Sequence, residues 1–199
     1  METELITLNV DKLNANPSKE INYFDDEEYR FLSNMYPCKV VIDGIVFQTS
    51  EAGFHAGKFK EKKYKKMFTN LKTKPDANWK ALGKQAKKLG QKHGITEKYN
   101  LSFDKDAWDN GEGQKAMLKA VRAKFKDTEL AKKLLKTGDA ILIEGTFWND
   151  CTWGVGLRRK KDKDGNVIGY KGHGKNQLGI ILMKVRDELR NDSYNCKNN

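Results

Sequence analysis

The stretch that decides the fold is TSEAGFHAGKF, residues 49–59. Its first two residues, Thr49 and Ser50, carry hydroxyl groups of the kind that cap helices by accepting a hydrogen bond from a backbone N–H group. Glu51 follows, and its negative charge suits the positive end of a helix dipole. The pattern therefore predicts a helix that starts here and runs to about Phe68.

Glu51 and Lys58 are the residues of this stretch that can carry chemistry. They are seven residues apart, and at about 100° per residue they lie two turns from one another on nearly the same side of a helix. Phe54 lies between them, and Phe54 and Phe59 supply apolar surroundings in which a lysine pKa can fall. The spacing allows one carboxylate and one amine to reach the same ligand, but two exposed helix charges are a common alternative.

Outward from this stretch, the sequence predicts short strands mixed with amphipathic helices. The pair Asp43-Gly44 between β-branched arms predicts a two-residue hairpin turn over residues 40–47. Other strands are predicted at residues 4–10, 21–24 and 139–146. Other helices are predicted at residues 76–90, 106–125, 128–138 and 176–190, with Gly111 and Gly113 able to interrupt the second of these.

A second group of candidate residues surrounds a tryptophan in a glycine-rich region. Glu144, Asp150, Trp153, Gly154 and Asn176 suit a planar ring joined to a sugar or phosphate, because indole stacks, a carboxylate binds hydroxyls and glycine admits the backbone. The alternative is a tryptophan that belongs to the core. Trp108 is a third candidate for a ligand-binding residue, and the alternative is again that this tryptophan belongs to the core. A dinucleotide-binding GxGxxG fingerprint is missing, which disfavours a Rossmann fold.

Charge and cysteine content limit the function classes. The chain of 199 residues has a formal net charge of +11, and the stretch from Lys58 to Lys92 has thirteen lysines against Glu61 and Asp76. This indicates either a polyanionic partner such as nucleic acid or a solvated helical face.

Three cysteines without a CxxC pair indicate free thiols and no zinc site. Apolar runs too short for a bilayer and a start without signal-peptide features predict a cytoplasmic protein with no membrane partner.

Taken together, the motifs match a known family in order and spacing. They are FLSNMYP at residues 31–37, DG at 43–44, TSE at 49–51, KF at 58–59, WD at 108–109, AKF at 123–125, LLKTGD at 134–139, DCTWG at 150–154 and NQLG at 176–179. Over about residues 21–190 the chain resembles the NADAR, or YbiA-like, family. The resemblance implies an α+β fold, with a single compact, mostly helical domain and a small antiparallel sheet. It also implies hydrolysis of N-glycosidic bonds of ribose-phosphate or ADP-ribose compounds, with no metal and no cofactor.

The resemblance also assigns expected roles to residues. Glu51 would be the acid/base residue, and Lys58 an amine that attacks the ribose C1 and forms a Schiff base. The expected substrate-binding residues fall into those that hold the base or ribose and those that line the phosphate-sugar site. The first set is Trp108, Asp150 and Trp153; the second is Ser33, Asn34, Gly154 and Asn176; Phe54 and Glu144 complete the substrate-binding residues.

Three functions are compatible with these features. The preferred hypothesis is removal of ADP-ribose from guanine in DNA, because a basic surface would track the phosphates. The alternatives are cleavage of an early riboflavin-pathway intermediate, and a non-catalytic module that binds ADP-ribose or a nucleotide signal. The residues predicted to contact nucleic acid are Lys62, Lys63, Lys65, Lys66, Arg158, Arg159 and Lys160. The predicted boundaries are 1–20 for a strand and connector, 21–190 for the catalytic domain and 191–199 for a polar tail; the sequence leaves the oligomeric state open.

Overall fold

The hairpin and the capped helix predicted around residues 40–56 both form in the computed structural model, which describes residues 6–10 and 13–195. Strands β3 (Val40–Ile42) and β4 (Ile45–Phe47) pair antiparallel, and positive φ angles at Asp43 and Gly44 close the turn. Helix α1 (Ser50–Ala56) follows, with Thr49 as its N-cap: the Thr49 hydroxyl accepts a hydrogen bond from the Ala52 N–H at 3.0 Å.

The predicted length of this helix is wrong. α1 ends at Ala56 with Gly57 as its C-cap, and the chain then continues as a short helix α2 (Lys62–Lys65) and a 3₁₀ turn (Lys66–Phe68). Lys58 therefore lies beyond the end of α1, and the premise that Glu51 and Lys58 share one helix face is incorrect. Gly57 at the end of the helix is consistent with the low helix propensity of glycine.

Along the described chain beyond α1 the helices come first, followed by a run of strands and one last helix, and this segregation confirms the predicted α+β class. The remaining helices are α3 (Ala81–Gly90), α4 (Lys105–Ala107), α5 (Gly113–Lys124), α6 (Thr128–Lys136) and α7 (Gln177–Asn195). The remaining strands are β1 (Ile6–Val10), β2 (Glu20–Ile21), β5 (Ile141–Leu142), β6 (Gly145–Thr146), β7 (Val155–Lys161) and β8 (Val167–Gly174). As expected, the predicted helix at 106–125 is interrupted, at Asn110 and Gly111.

The described contacts group the elements into two units, and the first of these is Asn34–Ala131. Here α1 packs against α3, α5 and the β3–β4 hairpin. Gly53 makes the approach to the hairpin possible, because a Cβ atom at this position would lie 2.7 Å from the Ile42 Cδ1. Phe47, Phe59 and Phe68 belong to the resulting core, and complete burial of a side chain of this size stabilises a fold by about 1.5–3 kcal/mol.

The second unit contains the described residues up to Ser33 and those from Lys132 onward. Its four-stranded sheet has the order β1-β8-β7-β6, antiparallel except for the β6–β7 pair, and β2 pairs parallel with β5. Ile143 forms a core cluster with Val155 and Leu157 of β7. The residues 158–165 lie in the β7–β8 hairpin, as predicted from Asp164-Gly165.

The last helix is longer than predicted. α7 continues to Asn195, through the first part of the predicted tail; residues 196–199, with Cys196, lie outside the described residues, as do residues 4–5 of the predicted first strand. The division into 1–20, 21–190 and 191–199 stays a prediction. Within the described part of the chain, no helix is long and apolar enough to span a bilayer.

Candidate functional site

Glu51 is a buried carboxylate at the start of α1. The whole Glu51 residue is only 8% exposed, and its backbone N–H donates to the Asn34 carbonyl oxygen at 3.0 Å. The Ser50 hydroxyl donates to Asn34 Oδ1 at 2.9 Å, and Asn34 Nδ2 contacts Met117 Sδ at 2.7 Å. Asn34, predicted to line a phosphate-sugar site, thus uses its side chain to hold the first turn of the helix that carries Glu51.

His55, one turn after Glu51, is the partner of this carboxylate. Its Nε2 lies 3.1 Å from Glu51 Oε1, and both side chains are largely buried. This pair was not predicted from the sequence. The position of His55 four residues after Glu51 was the available indication, because residues at i and i+4 are neighbours on a helix.

Lys58 reaches the same region from the segment after α1. Its Nζ donates a hydrogen bond to the Gly90 carbonyl oxygen at 2.7 Å, and lies 5.5 Å from the Phe103 ring centroid and 5.4 Å from that of Trp108. Burial lowers the pKa of Lys58 below its usual value, and the negative charges of Glu51 and Asp109 oppose this shift without cancelling it. The amine is thus more available in its neutral, nucleophilic form than an exposed lysine is.

An aromatic-walled cavity of about 660 Å³ opens at Lys58. Tyr64, Phe103 and Trp108 are among its lining residues. The Trp108 ring contacts Phe103 at 5.8 Å and Phe54 at 5.2 Å between centroids. Trp108 is half-buried and lies in the cavity wall, whereas Phe54 is 4% exposed and supports Trp108 from behind. No sequence pattern had pointed to Phe103 or to the Gly90 carbonyl.

We call Glu51, His55, Lys58, Phe103 and Trp108 the acid–amine cluster. All five belong to the unit Asn34–Ala131. It combines a buried carboxylate, an imidazole and a desolvated amine beside a cavity that can accept a flat ring. This combination can transfer a proton and can supply a nucleophile.

The other predicted site residues form a second group, which belongs to the unit built around the four-stranded sheet. We call Glu144, Asp150, Trp153, Gly154 and Asn176 the loop cluster. Asp150 Oδ1 accepts hydrogen bonds from the backbone N–H groups of Thr152 at 3.2 Å and Trp153 at 2.9 Å, which fixes the turn that presents the half-buried Trp153.

Asn176 holds this loop cluster together. Its Oδ1 accepts from the Glu144 N–H at 3.0 Å, its Nδ2 donates to the Leu142 carbonyl oxygen at 2.8 Å, and its backbone N–H donates to the Gly154 carbonyl oxygen at 3.3 Å. Asn176 and Gly154 are both buried. Ser33, another predicted site residue of this unit, is also buried and donates its N–H to the Arg30 carbonyl oxygen.

The predicted nucleic-acid residues lie at the surface of their units. Lys62, Lys63 and Lys66 are exposed and Lys65 is half-buried on and after α2; Arg158 and Arg159 are exposed and Lys160 is half-buried on β7. Lys63 pairs with Glu61 at 2.8 Å. Across the described residues, no group of three or more His, Cys, Asp or Glu side chains is placed to hold a metal ion.

The described fold and the acid–amine cluster together define a small α+β protein with an acid–base and nucleophile site. A family model, the NADAR domain, matches residues 22–190. The chain therefore belongs to the NADAR family, as the motifs had predicted.

Individual relatives agree with this family. The chain is 32% identical over 171 residues to the N-glycosidase YbiA of Escherichia coli K12, covering 85% of this chain and 88% of that protein. It is 30% identical over 173 residues to a riboflavin biosynthesis protein of Vibrio vulnificus, covering 84% of this chain but only 38% of that protein. The solution NMR structure of E. coli YbiA is similar, with a TM-score of 0.63 and 29% identity, over 89% of this chain and 88% of the other.

Proposed function

We propose that the chain is an N-glycosidase that hydrolyses a ribose C1–N bond, and that its substrate is ADP-ribosylated guanine in DNA. Membership of the NADAR family and the similarity to proteins named N-glycosidase support the class of reaction. The single observation that carries the assignment is the acid–amine cluster, in which a buried carboxylate lies near a lysine whose pKa is lowered by burial.

The cluster supports a covalent route through Lys58. The neutral Lys58 amine attacks the ribose C1, the C1–N bond breaks, and the departing guanine keeps the bonding electrons and takes up a proton from solvent. Nζ then loses a proton to Glu51, and ring opening leaves an imine between Nζ and C1. Water hydrolyses the imine and Glu51 gives up its proton in the same step, which releases the sugar and restores both the amine and the carboxylate. Dividing one difficult displacement into two steps is the usual advantage of covalent catalysis.

The balance of forces on Lys58 suits this role. The Gly90 carbonyl lies at the C-terminal end of α3, where the helix dipole favours a cation. Glu51 and Asp109 also favour the charged amine. Burial outweighs them, so that a neutral amine remains accessible, and a neutral amine can still donate one N–H to Gly90 while its lone pair attacks.

The DNA part of the proposal rests on charge. The formal net charge is +11, and exposed lysines on and after α2 follow directly after Lys58 in the chain. A basic surface gains affinity for DNA by releasing counterions from the phosphates. A small substrate does not require such a surface. The second candidate is a riboflavin-pathway intermediate, and the name of the Vibrio vulnificus relative is the observation that favours it.

The test compares wild type, Glu51→Gln and Lys58→Ala on DNA that carries ADP-ribosylated guanine and on riboflavin-pathway intermediates. We expect wild type to release ADP-ribose from the DNA, and each variant to be slower by about 10² or more, the usual size of general acid–base and nucleophilic contributions. Lys184→Ala is the matched control, since Lys184 is exposed and is not among the residues predicted to contact nucleic acid, and it should keep the wild-type rate.

Each other outcome has a definite meaning. Release only from the riboflavin intermediates would replace the DNA proposal with the second candidate. Turnover that survives both substitutions would remove the acid–amine cluster from the mechanism. If wild type binds ADP-ribose but cleaves neither substrate, the protein is a binding module, the third possibility raised by the sequence.

A further inference from the structure

The contact between His55 and Glu51 is the buried polar pair that the proposed mechanism leaves unexplained. Oε1 of Glu51 lies 3.1 Å from Nε2 of His55, and the side chains are only 10% and 7% exposed, respectively. A pair at this depth is shielded from solvent, so the interaction between its two side chains is stronger than that of an exposed helix pair. The chain offers such an exposed pair for comparison, His93 with Glu97, also four residues apart.

The His55 ring is fixed by its packing. On one side it contacts the Phe54 ring, with 4.9 Å between centroids. On another side the backbone of Gly90 approaches so closely that a Cβ atom there would lie 2.3 Å from His55 Nδ1. Only glycine fits at position 90 without moving the ring, and the carbonyl of the same residue accepts the hydrogen bond from Lys58. Gly90 therefore locates both the imidazole and the amine.

This packing selects one tautomer of His55. Nδ1 is buried and has no hydrogen-bond partner among the residues that the structure describes. A proton on Nδ1 would bury an unsatisfied N–H group and would leave the Nε2 lone pair facing the carboxylate, and both are unfavourable. A proton on Nε2 instead donates to Glu51 Oε1 in a charge-assisted hydrogen bond. The neutral tautomer with the proton on Nε2 satisfies the geometry.

We propose that His55 is a positioning residue. Its Nε2–H donates a hydrogen bond to Oε1 of Glu51 and so fixes the carboxylate, which leaves Oε2 to accept the proton that leaves Lys58. This inference rests on the proposed N-glycosidase function. The charges of Glu51 and Lys58 interact, and Asp109 acts on Lys58 as well. Lys58 lines the cavity, whereas neither His55 nor Glu51 is among its lining residues. His55 therefore acts through Glu51 on Lys58 and does not face the substrate.

The test uses two substitutions with opposite expected results. His55→Leu removes the donor at similar volume, and we expect kcat to fall by about tenfold or more while KM changes by less than about twofold, because only the orientation of the acid/base group is lost. His55→Gln restores an N–H donor, and we expect it to recover kcat to within about threefold of wild type. His93→Leu removes the exposed pair and should leave both constants unchanged.

A second measurement does not depend on activity or on the stability of variants. Long-range ¹H–¹⁵N NMR of the wild-type protein reports which ring nitrogen carries the proton, and we expect Nε2 for His55. A proton on Nδ1, or rapid averaging between the nitrogens, would overturn the inference, as would a fully active His55→Leu variant. A wild-type protein that cleaves neither substrate while His55 shows the expected tautomer would count against the proposed function and not against the Glu51–His55 arrangement.

Discussion

At the scale of single residues, Lys58 is subject to opposing effects on its charge. Burial removes water from the ammonium group, while Glu51, Asp109 and the faces of two aromatic rings stabilise the cation. Burial is the largest of the effects that set its pKa, and the net direction is downward. The residue therefore loses its proton at a lower pH than an exposed lysine does, and the nucleophile becomes available nearer neutral pH.

This direction predicts the pH dependence of Lys58 reactivity. Only the neutral amine reacts with acetic anhydride, so trace acetylation measured by peptide mass spectrometry should rise with pH to a midpoint below 10.5, the ordinary lysine value. Lys63 is the internal control, because its hydrogen bond with Glu61 raises its pKa and shifts its midpoint upward. A Lys58 midpoint at or above that of Lys63 would contradict the claim that burial dominates. Accessibility changes the size of the labelling but not its midpoint.

At the scale of elements, α1 positions Glu51 through its N-terminus. Thr49 is fully buried, and its hydroxyl caps the helix two residues before Glu51. Thr49→Ala should lower the free energy of unfolding by about 1 kcal/mol, the typical cost of losing a cap. Urea unfolding followed by circular dichroism measures this. Thr49→Ser keeps the hydroxyl and is the matched control; equal losses in both variants would mean that the Thr49 methyl group, and not the cap, stabilises the helix.

The same element shows how far the sequence could predict the site. The cap at Thr49, the turn at Asp43-Gly44 and the interruption near Gly111 depend on local conformational preferences, and all three predictions are confirmed. Helix α1 was predicted to continue past Lys58, but it ends at Ala56. Lys58 is held instead by a hydrogen bond to Gly90, which lies 32 residues later in the chain. Gly90 and Phe103 escaped prediction because non-local packing brings them to Lys58. His55, in contrast, is a local neighbour of Glu51 on α1, and its i, i+4 spacing could have indicated the pair.

At the scale of the whole molecule, the excess of positive charge is the feature that separates the two candidate substrates. Each phosphate contact releases counterions, so the logarithm of affinity for double-stranded DNA falls by about 0.9 per contact for each unit of log salt concentration. A small riboflavin intermediate makes few such contacts. Salt dependence of cleavage therefore tests whether the lysines on and after α2 contribute to function or only keep the protein solvated.

The variant that tests this replaces Lys62, Lys63 and Lys66 together by Gln. All three are exposed, so folding should be unaffected, and on ADP-ribosylated DNA the slope of log kcat/KM against log salt should become shallower by up to about 3. The matched control removes the same charge elsewhere, at the exposed Lys133, Lys136 and Lys184, and should keep the wild-type slope. Equal slopes for both triple variants would assign the effect to net charge alone. A flat salt profile for wild type would remove the argument for DNA and leave the small-molecule substrate as the better proposal.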